Sequence, residues 1–353
     1  MERFNPERIK ELVAKIFERT GVSEADALIL AESLVEADLQ GTSTHGVSRV
    51  GIYSRRLRAG LIDPQADLTI EKKWPAALTV NANNGLGQVQ AYKTLQLLIP
   101  MARESGCASA TIHNSQHFGA LSYFTNKAAD NDMILLAMTN VESSMAPAGA
   151  RSAFFGTNPL AISFPTGKGY PIKIDLATSV VARGNIIAAQ RQGESIPLGW
   201  ALDPEGNPTT DPEKALAGTV LTMAGHKGYA LALMVEVLSG VLSGSDIGPA
   251  VGSMYKDFSR PQNTGHFFIL LHIAAFMDIA LFKERINGMV DQIKGCERLP
   301  GVEEILVPGE RSFRKTRENR QLGIPVGEET ISEFQALCRE FGIPFSLEAL
   351  QKR

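Results

Sequence analysis

The chain reads as an α/β protein with a small all-helical unit at its N-terminus, and three features of its 353 residues lead there. Before Pro64, apolar residues recur three or four apart, the spacing of a buried helix face. After Pro64, short β-branched runs bounded by Gly, Asn and Pro alternate with further helical runs. The length also exceeds what one hydrophobic core usually fills, so a body with a smaller attached unit is expected. The expected limits are a helical unit over 1–72, an α/β body over 73–320, and a helical tail over 321–353 that returns to the N-terminal unit.

The first helix spans Asn5 to Thr20, with Ile9, Leu12, Val13, Ile16 and Phe17 as its stripe and Gly21 as its stop. Ser23, with Asp26 three residues on, opens a second run, ADALILAESLVEADLQ, that ends at Gly41. A third is expected to start at Ser43 or Thr44 and to run through Arg58 to Gly60. Beyond Pro64, ALTVNA, SATIHN, MILLAMTN, PLAISFP and PIKIDLA read as strands. QAYKTLQLLIPMARESG, SYFTNKAADND and GHKGYALALMVEVLSGVLSG read as helices between or after them. HFFILLHI is a late strand, followed by a helix from Met277 to Ile293, and the tail from Ser332 to Arg353 is helical again. No internal repeat or low-complexity segment interrupts this order.

Composition excludes several classes of function. Apolar residues make up 44%, charged residues 21%, and net charge is -3, so no broad field attracts nucleic acid or a membrane surface. The start, MERFNPERIK, has no apolar signal region. The longest apolar run, Phe267 to Phe282, is broken by His272 and Asp278 and is no spanning helix, so a cytoplasmic protein is expected. Cys107, Cys296 and Cys338 show no CxxC spacing, which argues for reduced thiols rather than a disulfide framework or a cysteine zinc site.

Several motifs have the residue types that chemistry needs. In Thr44-His45-Gly46-Val47-Ser48-Arg49, a helix capped by Ser43 or Thr44 would bring an imidazole, a guanidinium and a helix N-terminus together, a setting for a carboxylate. Arg49 would grip that carboxylate in bidentate fashion, and His45, titrating near neutrality, would donate a proton beside it. A capped surface helix with an incidental His and Arg gives the same pattern. His113-Asn114-Ser115-Gln116-His117-Phe118-Gly119 lies between a strand end and a helix start, where α/β proteins place ligands. Its HxxxH spacing suits zinc only on one helix face, and no acidic third ligand is near.

Gly156-Thr157-Asn158-Pro159 and Asp175-Leu176-Ala177-Thr178-Ser179, followed by Arg183-Gly184-Asn185, put an Asp and small residues at a strand end, with room for a ribose or carboxamide. Ordinary Asx and capping turns use the same residues. Gly225-His226-Lys227-Gly228 permits close backbone approach beside a cation, and Pro308-Gly309-Glu310-Arg311 leads into a basic stretch that either meets a phosphate or faces solvent. Gly85-Leu86-Gly87-Gln88-Val89-Gln90 lacks the third glycine of the Rossmann fingerprint, so a dinucleotide bound here would be held by another fold.

In order along nearly the whole chain, THGVSR, HNSQHFG, FGTNPLAISFP, IDLATSVVARGNI, GWALDPEGNPTTDP, GHKGY and PGER resemble the type 2 malate/L-lactate dehydrogenase family. That resemblance implies a non-Rossmann, sulfolactate-dehydrogenase-like α/β fold, a homodimer, NADH or NADPH as cofactor, and a small 2-oxo or 2-hydroxy acid as substrate. It also implies site residues. His45 would be the proton donor, with Thr44 in place of a supporting serine, and Arg49 the carboxylate clamp, while Thr157, Arg183 and Gly184 would line the substrate pocket. His117, Phe118, Gly119, Ala120, Leu121, Asp175, Leu176, Ala177, His226, Lys227, Pro308, Gly309, Glu310 and Arg311 would contact the dinucleotide.

In ureidoglycolate-type members the histidine matching His117 takes the acid/base role, so the resemblance leaves His45 and His117 both open. The imino-acid reductases of the family carry a carboxylate where this chain has Asn185, and an amide cannot carry that charge. Reduction of a cyclic imino acid is therefore the first alternative. A metal-dependent hydrolase using His113, His117 and His226 is the second, and a silent binding protein the third.

Overall fold

The computed structural model describes residues 1–350. β1 (Glu2–Phe4) leads into α1 (Pro6–Glu18), which Asn5 caps by accepting the N–H groups of Glu7 and Arg8. The expected stripe of α1 is fully buried. α2 (Glu24–Leu39) starts at the Ser23 cap and is apolar on several faces because it lies between α1 and the rest of the molecule. The third helix departs from expectation: α3 is Val50–Arg58, preceded by two short 3-10 turns, Ser43–His45 and Val47–Arg49. No side chain caps those turns, and Gly46 parts them in an extended conformation.

The body contains β2 (Thr69–Trp74), β3 (Ala77–Asn81), α4 (Gly87–Ser105), β4 (Cys107–Ser115), α5 (Ser122–Ala129), β5 (Met133–Thr139), β6 (Leu160–Phe164) and β7 (Ile172–Leu176). After these come α6 (Arg183–Gln192), β8 (Ala201–Leu202), β9 (Pro208–Thr209), α7 (Pro212–Ala217), β10 (Thr219–Val220), α8 (His226–Glu236), β11 (Thr264–His272) and α9 (Ile279–Lys294). Among the described residues a seven-stranded sheet runs in the order β2-β3-β4-β11-β5-β6-β7. Only β3 and β4 are parallel, joined by the crossover helix α4; the other pairs are antiparallel.

β11 inserts between β4 and β5, and its unbroken apolar run suits a strand covered on both faces. The short pairs β8–β10 and the edge strand β2 were not anticipated. β2 reads TIEKKW, is exposed throughout, and its charges protect the sheet edge while hiding the strand pattern.

Past α8 the chain continues into a π-helical turn, Val237–Val241, which presses Ser239 against Gly265 of β11; a Cβ at Gly265 would collide with the Ser239 carbonyl. Glu236 is buried there and accepts hydrogen bonds from Asn158 Nδ2 at 2.7 Å, Gly248 N–H at 2.8 Å and Asn140 Nδ2 at 3.3 Å. These donors take up its desolvated carboxylate and hold Asn158 at a left-handed φ of 34°, next to Thr157.

The tail consists of α10 (Glu310–Leu322), β12 (Ile324–Val326) and α11 (Glu328–Phe341). β12 pairs antiparallel with β1, and Phe334, Leu337 and Cys338 of α11 join the core of α1, α2 and α3. Each large apolar side chain so buried contributes about 1.5–3 kcal/mol. The helix expected over Ser332–Arg353 instead stops at Gly342, left-handed at φ 65°, and 351–353 lie outside the described residues. Among the described residues no helix is long and apolar enough to cross a membrane. The three cysteines are free thiols, Cys338 buried and the others exposed.

Candidate active site

The two 3-10 turns are set by the end of α2. Asn319 of α10 donates its amide to the carbonyls of Asp38 at 3.2 Å and Leu39 at 3.0 Å, completing the C-terminus of α2. The Asp38 carboxylate turns the other way and accepts the Val47 N–H at 2.7 Å, and burial pushes its pKa up to about 7 against the lowering effect of that bond. Gly46 lies on the carboxylate so closely that a Cβ would fall inside it. The Gly46→Ala protein should therefore be less stable by about 1–3 kcal/mol, as overpacked sites are. Its turnover should also fall, because His45 and Arg49 flank the displaced peptide; a thermal melt and steady-state kinetics would check both effects.

The expected face shared by His45 and Arg49 on one helix does not form. Arg49 instead folds back, its Nε donating to the Thr44 carbonyl at 2.6 Å, and Thr44 Oγ1 lies 3.0 Å from His45 Nδ1. The two groups meet through this bent segment, which leaves both terminal nitrogens of Arg49 unused by it. His45 does not titrate near neutrality as expected: desolvation first, then the Arg49 charge, lowers it to about 4.

His117 completes the cluster, its ring stacked on His45 with centroids 5.7 Å apart. The second glycine of the GLGQVQ segment explains its position: Gly87 opens α4 directly against the carbonyls of Gln116 and His117, where any Cβ would collide. The next residue, Gln88, donates to the Tyr53 hydroxyl at 2.8 Å, and that hydroxyl lies 2.6 Å from His117 Nδ1. Burial pushes Tyr53 up to about 12, so the phenol keeps its proton and, already accepting from Gln88, has it available for Nδ1 in the tautomer that leaves that nitrogen bare. Neutral His117 then carries its own proton on Nε2. Burial, with His45, Arg49 and His266 as like charges, holds His117 well below the usual imidazole range. Tyr53, Gln88 and Asp38 are site-forming residues that the motifs had not singled out.

A second wall faces Thr44. A Cβ on Gly184, at the start of α6, would meet the Thr44 methyl at 3.3 Å, which places Arg183 beside the bent segment. Arg183 lies 3.5 Å from Glu142. The Thr157 carbonyl accepts from the Thr178 hydroxyl at 2.9 Å, and Gly228 of α8 packs on the Thr178 carbonyl, so the FGTNP segment, the strand end after Asp175 and the start of α8 converge. α8 begins without a side-chain cap, and His226 and Lys227 there are exposed.

Other residues in the expected cofactor set point elsewhere. Phe118 is buried in the core and stacks on His266 with centroids 4.0 Å apart, so its side chain cannot meet a ligand; Leu121 is buried as well. Gly119 is left-handed at φ 75° against Gln88, and Ala120 is half-buried next to it. Asp175 accepts the N–H of Ser122 at 2.9 Å and so closes the start of α5, the helix terminus expected to take phosphate. Leu176 and Ala177 beside it are half-buried. The Pro308 carbonyl accepts the Lys173 N–H at 3.0 Å and Gly309 packs on β7, but Glu310 is buried in ion pairs with Lys294 and Arg314, and Arg311 is exposed.

His113 lies within β4 and His117 beyond its end, not on one helix face as the zinc reading requires. His113, His117 and His226 do not gather, and among the described residues no group of three or more His, Cys, Asp or Glu could hold a metal ion.

The sequence profile named malate/L-lactate dehydrogenase matches residues 4–335. The chain belongs to the malate/L-lactate dehydrogenase family. A malate/(S)-sulfolactate dehydrogenase of Methanothermus fervidus is 37% identical over 339 residues, covering 96% of this chain and 98% of the relative. The sulfolactate dehydrogenase structure from Methanocaldococcus jannaschii superposes with a TM-score of 0.90 at 37% identity, over 97% of this chain and 98% of that one. The structure of a delta1-piperideine-2-carboxylate reductase from Pseudomonas syringae superposes with a TM-score of 0.86 at 31% identity, over 96% and 100%. The expected non-Rossmann, sulfolactate-dehydrogenase-like fold is therefore the fold found. Family relatives include dehydrogenases named for NAD(+) and for NADP(+), and this member is a dehydrogenase of that NAD(P)-dependent type.

Proposed function

We propose that the cluster of His45, His117 and Arg49 interconverts a small 2-oxo acid and its 2-hydroxy acid, with NADH or NADPH as the second substrate. The observation that supports this most is the meeting of two stacked, neutral imidazoles with one guanidinium whose terminal nitrogens are unused by the bent segment. Arg49 holds the carboxylate in bidentate fashion. In the reductive direction His45, supported by the Thr44 hydroxyl, acts as the imidazolium and passes its proton to the substrate's keto oxygen, returning to the neutral imidazole that serves as base in the reverse direction. His117, fixed by Tyr53, presents its Nε2 proton as a hydrogen bond to that oxygen. The nicotinamide cofactor, when bound, supplies the hydride.

The residues fit such a group. Leu176, Ala177 and Thr178 form a floor of modest side chains beside the uncapped start of α8, where Lys227 offers a cation for a phosphate. Thr157 and Gly184 border the substrate, and Pro308, Gly309 and Arg311 stand beside β7, where the far end of a dinucleotide would run. Leu233, Val237, Val241 and Leu242 form an exposed apolar face on α8 and the turn after it, and a second copy of the chain in a homodimer would cover it.

Among 2-oxo acids, we favour one with a second anionic group. Arg183 is a second cation bordering Thr44, and its two contacts are long, 3.5 Å to Glu142 and 3.5 Å to the Leu216 carbonyl, so that it is able to turn toward an acid. The malate/(S)-sulfolactate relative acts, by its name, on such acids. Asn185 is exposed on α6 and supplies no carboxylate for an imine reaction.

The test is oxidation of NADH and NADPH, followed by absorbance, with pyruvate, oxaloacetate, 3-sulfopyruvate and a cyclic imino acid. Turnover of a dianionic 2-oxo acid is expected, and turnover of the imine alone would replace this reading. The Arg183→Met protein should show a KM for the dianionic acid raised about tenfold or more, with pyruvate little changed. Equal losses on both acids would remove Arg183 from the recognition of the second charge.

A further inference from the structure

The loop Ser253–Arg260 is built onto the active site from the far side of α3. Arg56, fully buried on that helix, spends its guanidinium on the carbonyls of this loop: Asp257 at 2.9 Å, Arg260 at 3.2 Å, and Ser253 and Met254 at 3.3 Å. A buried cation held by carbonyls is costly to misplace, so these bonds fix the backbone of the loop. Asp257 and the Ser253 hydroxyl brace the turns within it by accepting backbone N–H groups. Glu142 ties the loop to the opposite wall, since one carboxylate oxygen accepts the Met254 N–H at 3.0 Å and the other lies 3.5 Å from Arg183.

At the tip, Tyr255 presents its ring to Arg49, whose guanidinium carbon lies 5.3 Å from the ring centroid. Tyr255 itself is 45% exposed, so it contributes little to the core. Arg49 is held at Nε by the Thr44 carbonyl and on one face by this ring. Its plane is thereby set, and its unused edge is the direction from which a carboxylate forms two parallel hydrogen bonds.

We propose that Tyr255 is a positioning residue of the acid site, which orients the guanidinium of Arg49 for edge-on capture of the substrate carboxylate. This rests on the reading of Arg49 as the carboxylate clamp. Tyr255 touches the clamp and not the reacting atoms, so its effect belongs in substrate binding. A ring lying on a partly exposed guanidinium strengthens binding by a factor of about two to ten.

The experiment compares Tyr255→Leu and Tyr255→Phe, each alone and combined with Arg49→Gln, by steady-state kinetics with the best 2-oxo acid of the panel and by thermal melts. Tyr255→Leu should raise KM for the acid about threefold to tenfold, with kcat, KM for NADH or NADPH and the melting temperature nearly unchanged. Tyr255→Phe, which keeps the ring, should restore the wild-type KM. In the Arg49→Gln protein the leucine change should add nothing, because its partner is gone. An unchanged KM in Tyr255→Leu, or full additivity with Arg49→Gln, would overturn the proposal while leaving the clamp intact. An Arg49→Gln protein with wild-type KM would overturn the clamp reading and the role of Tyr255 with it.

Discussion

Replacing His45 by alanine should lower kcat by about a hundredfold to ten-thousandfold, the usual contribution of a positioned acid/base, with cofactor affinity within about twofold of wild type. The imidazole is flanked by Thr44, Arg49 and His117, a hydroxyl, a permanent cation and a second imidazole that burial also holds well below its usual range and that Tyr53 engages at Nδ1. The pH dependence gives the assignment a sharper form. With His45 held down to about 4 in the free protein, its neutral form prevails at neutral pH and, in the proposed role, is the base for oxidising the hydroxy acid. Oxidative kcat/KM should thus be level at neutral pH and fall tenfold per unit as pH drops below about 4. Reductive kcat/KM needs the protonated form and should fall as pH rises above about 4. The acid's carboxylate, once paired with Arg49, removes the second cause of the lowered value, so the limb seen in kcat should lie at higher pH. A His45→Ala protein with these limbs intact and most of its turnover would transfer the proton to His117.

Arg49→Met is expected to lower kcat/KM for the 2-oxo acid by about a hundredfold to a thousandfold, the loss of one partner from a desolvated, bidentate charge pair. Most of it should be seen as raised KM, because a carboxylate is held alike in the ground and transition states. The same change removes a like charge that lowers both His45 and His117, so the oxidative pH limb should move upward as binding weakens. A structural defect would not produce that combination. Kinetics over a pH series, alongside a melting curve, separates the two.

The contacts that shape this site explain which parts of it were legible in the sequence. His45, Arg49 and His117 stand out because THGVSR and HNSQHFG fall within an ordered set of motifs that runs along nearly the whole chain. Tyr53 and Gln88 do not, since a tyrosine and a glutamine near helix starts are ordinary; their roles exist only because Tyr53 meets His117 across 64 residues of chain. Asp38 reads as one more acidic residue of a helix, and only the approach of Asn319, 281 residues later, shows that its helix ends there and that its carboxylate is turned onto Gly46 and Val47. Phe118 is the opposite case: it lies within the most informative motif, yet its ring belongs to the core beside His266.

By itself the sequence determined what depends on neighbours a few residues away. The apolar spacing of α1 and α2, the Ser23 cap, the β-branched runs that became β3, β4, β5, β6, β7 and β11, and the absence of a Rossmann fingerprint are all local, because helix and strand periods are written within one or two turns. Tertiary structure alone decided three other things. It broke the expected helix at Gly46 into two turns, because the Asp38 carboxylate takes the Val47 N–H that a continuous helix would give to the Ser43 carbonyl. It added strand β12 and paired it with β1, within a tail expected only to be helical and to return to the N-terminal unit, and burial there outweighs the entropy of closing a loop nearly as long as the chain. And it lowered His45 from the neutral range to about 4, because a pKa follows desolvation and the Arg49 charge, and both depend on packing that no spacing of residues records.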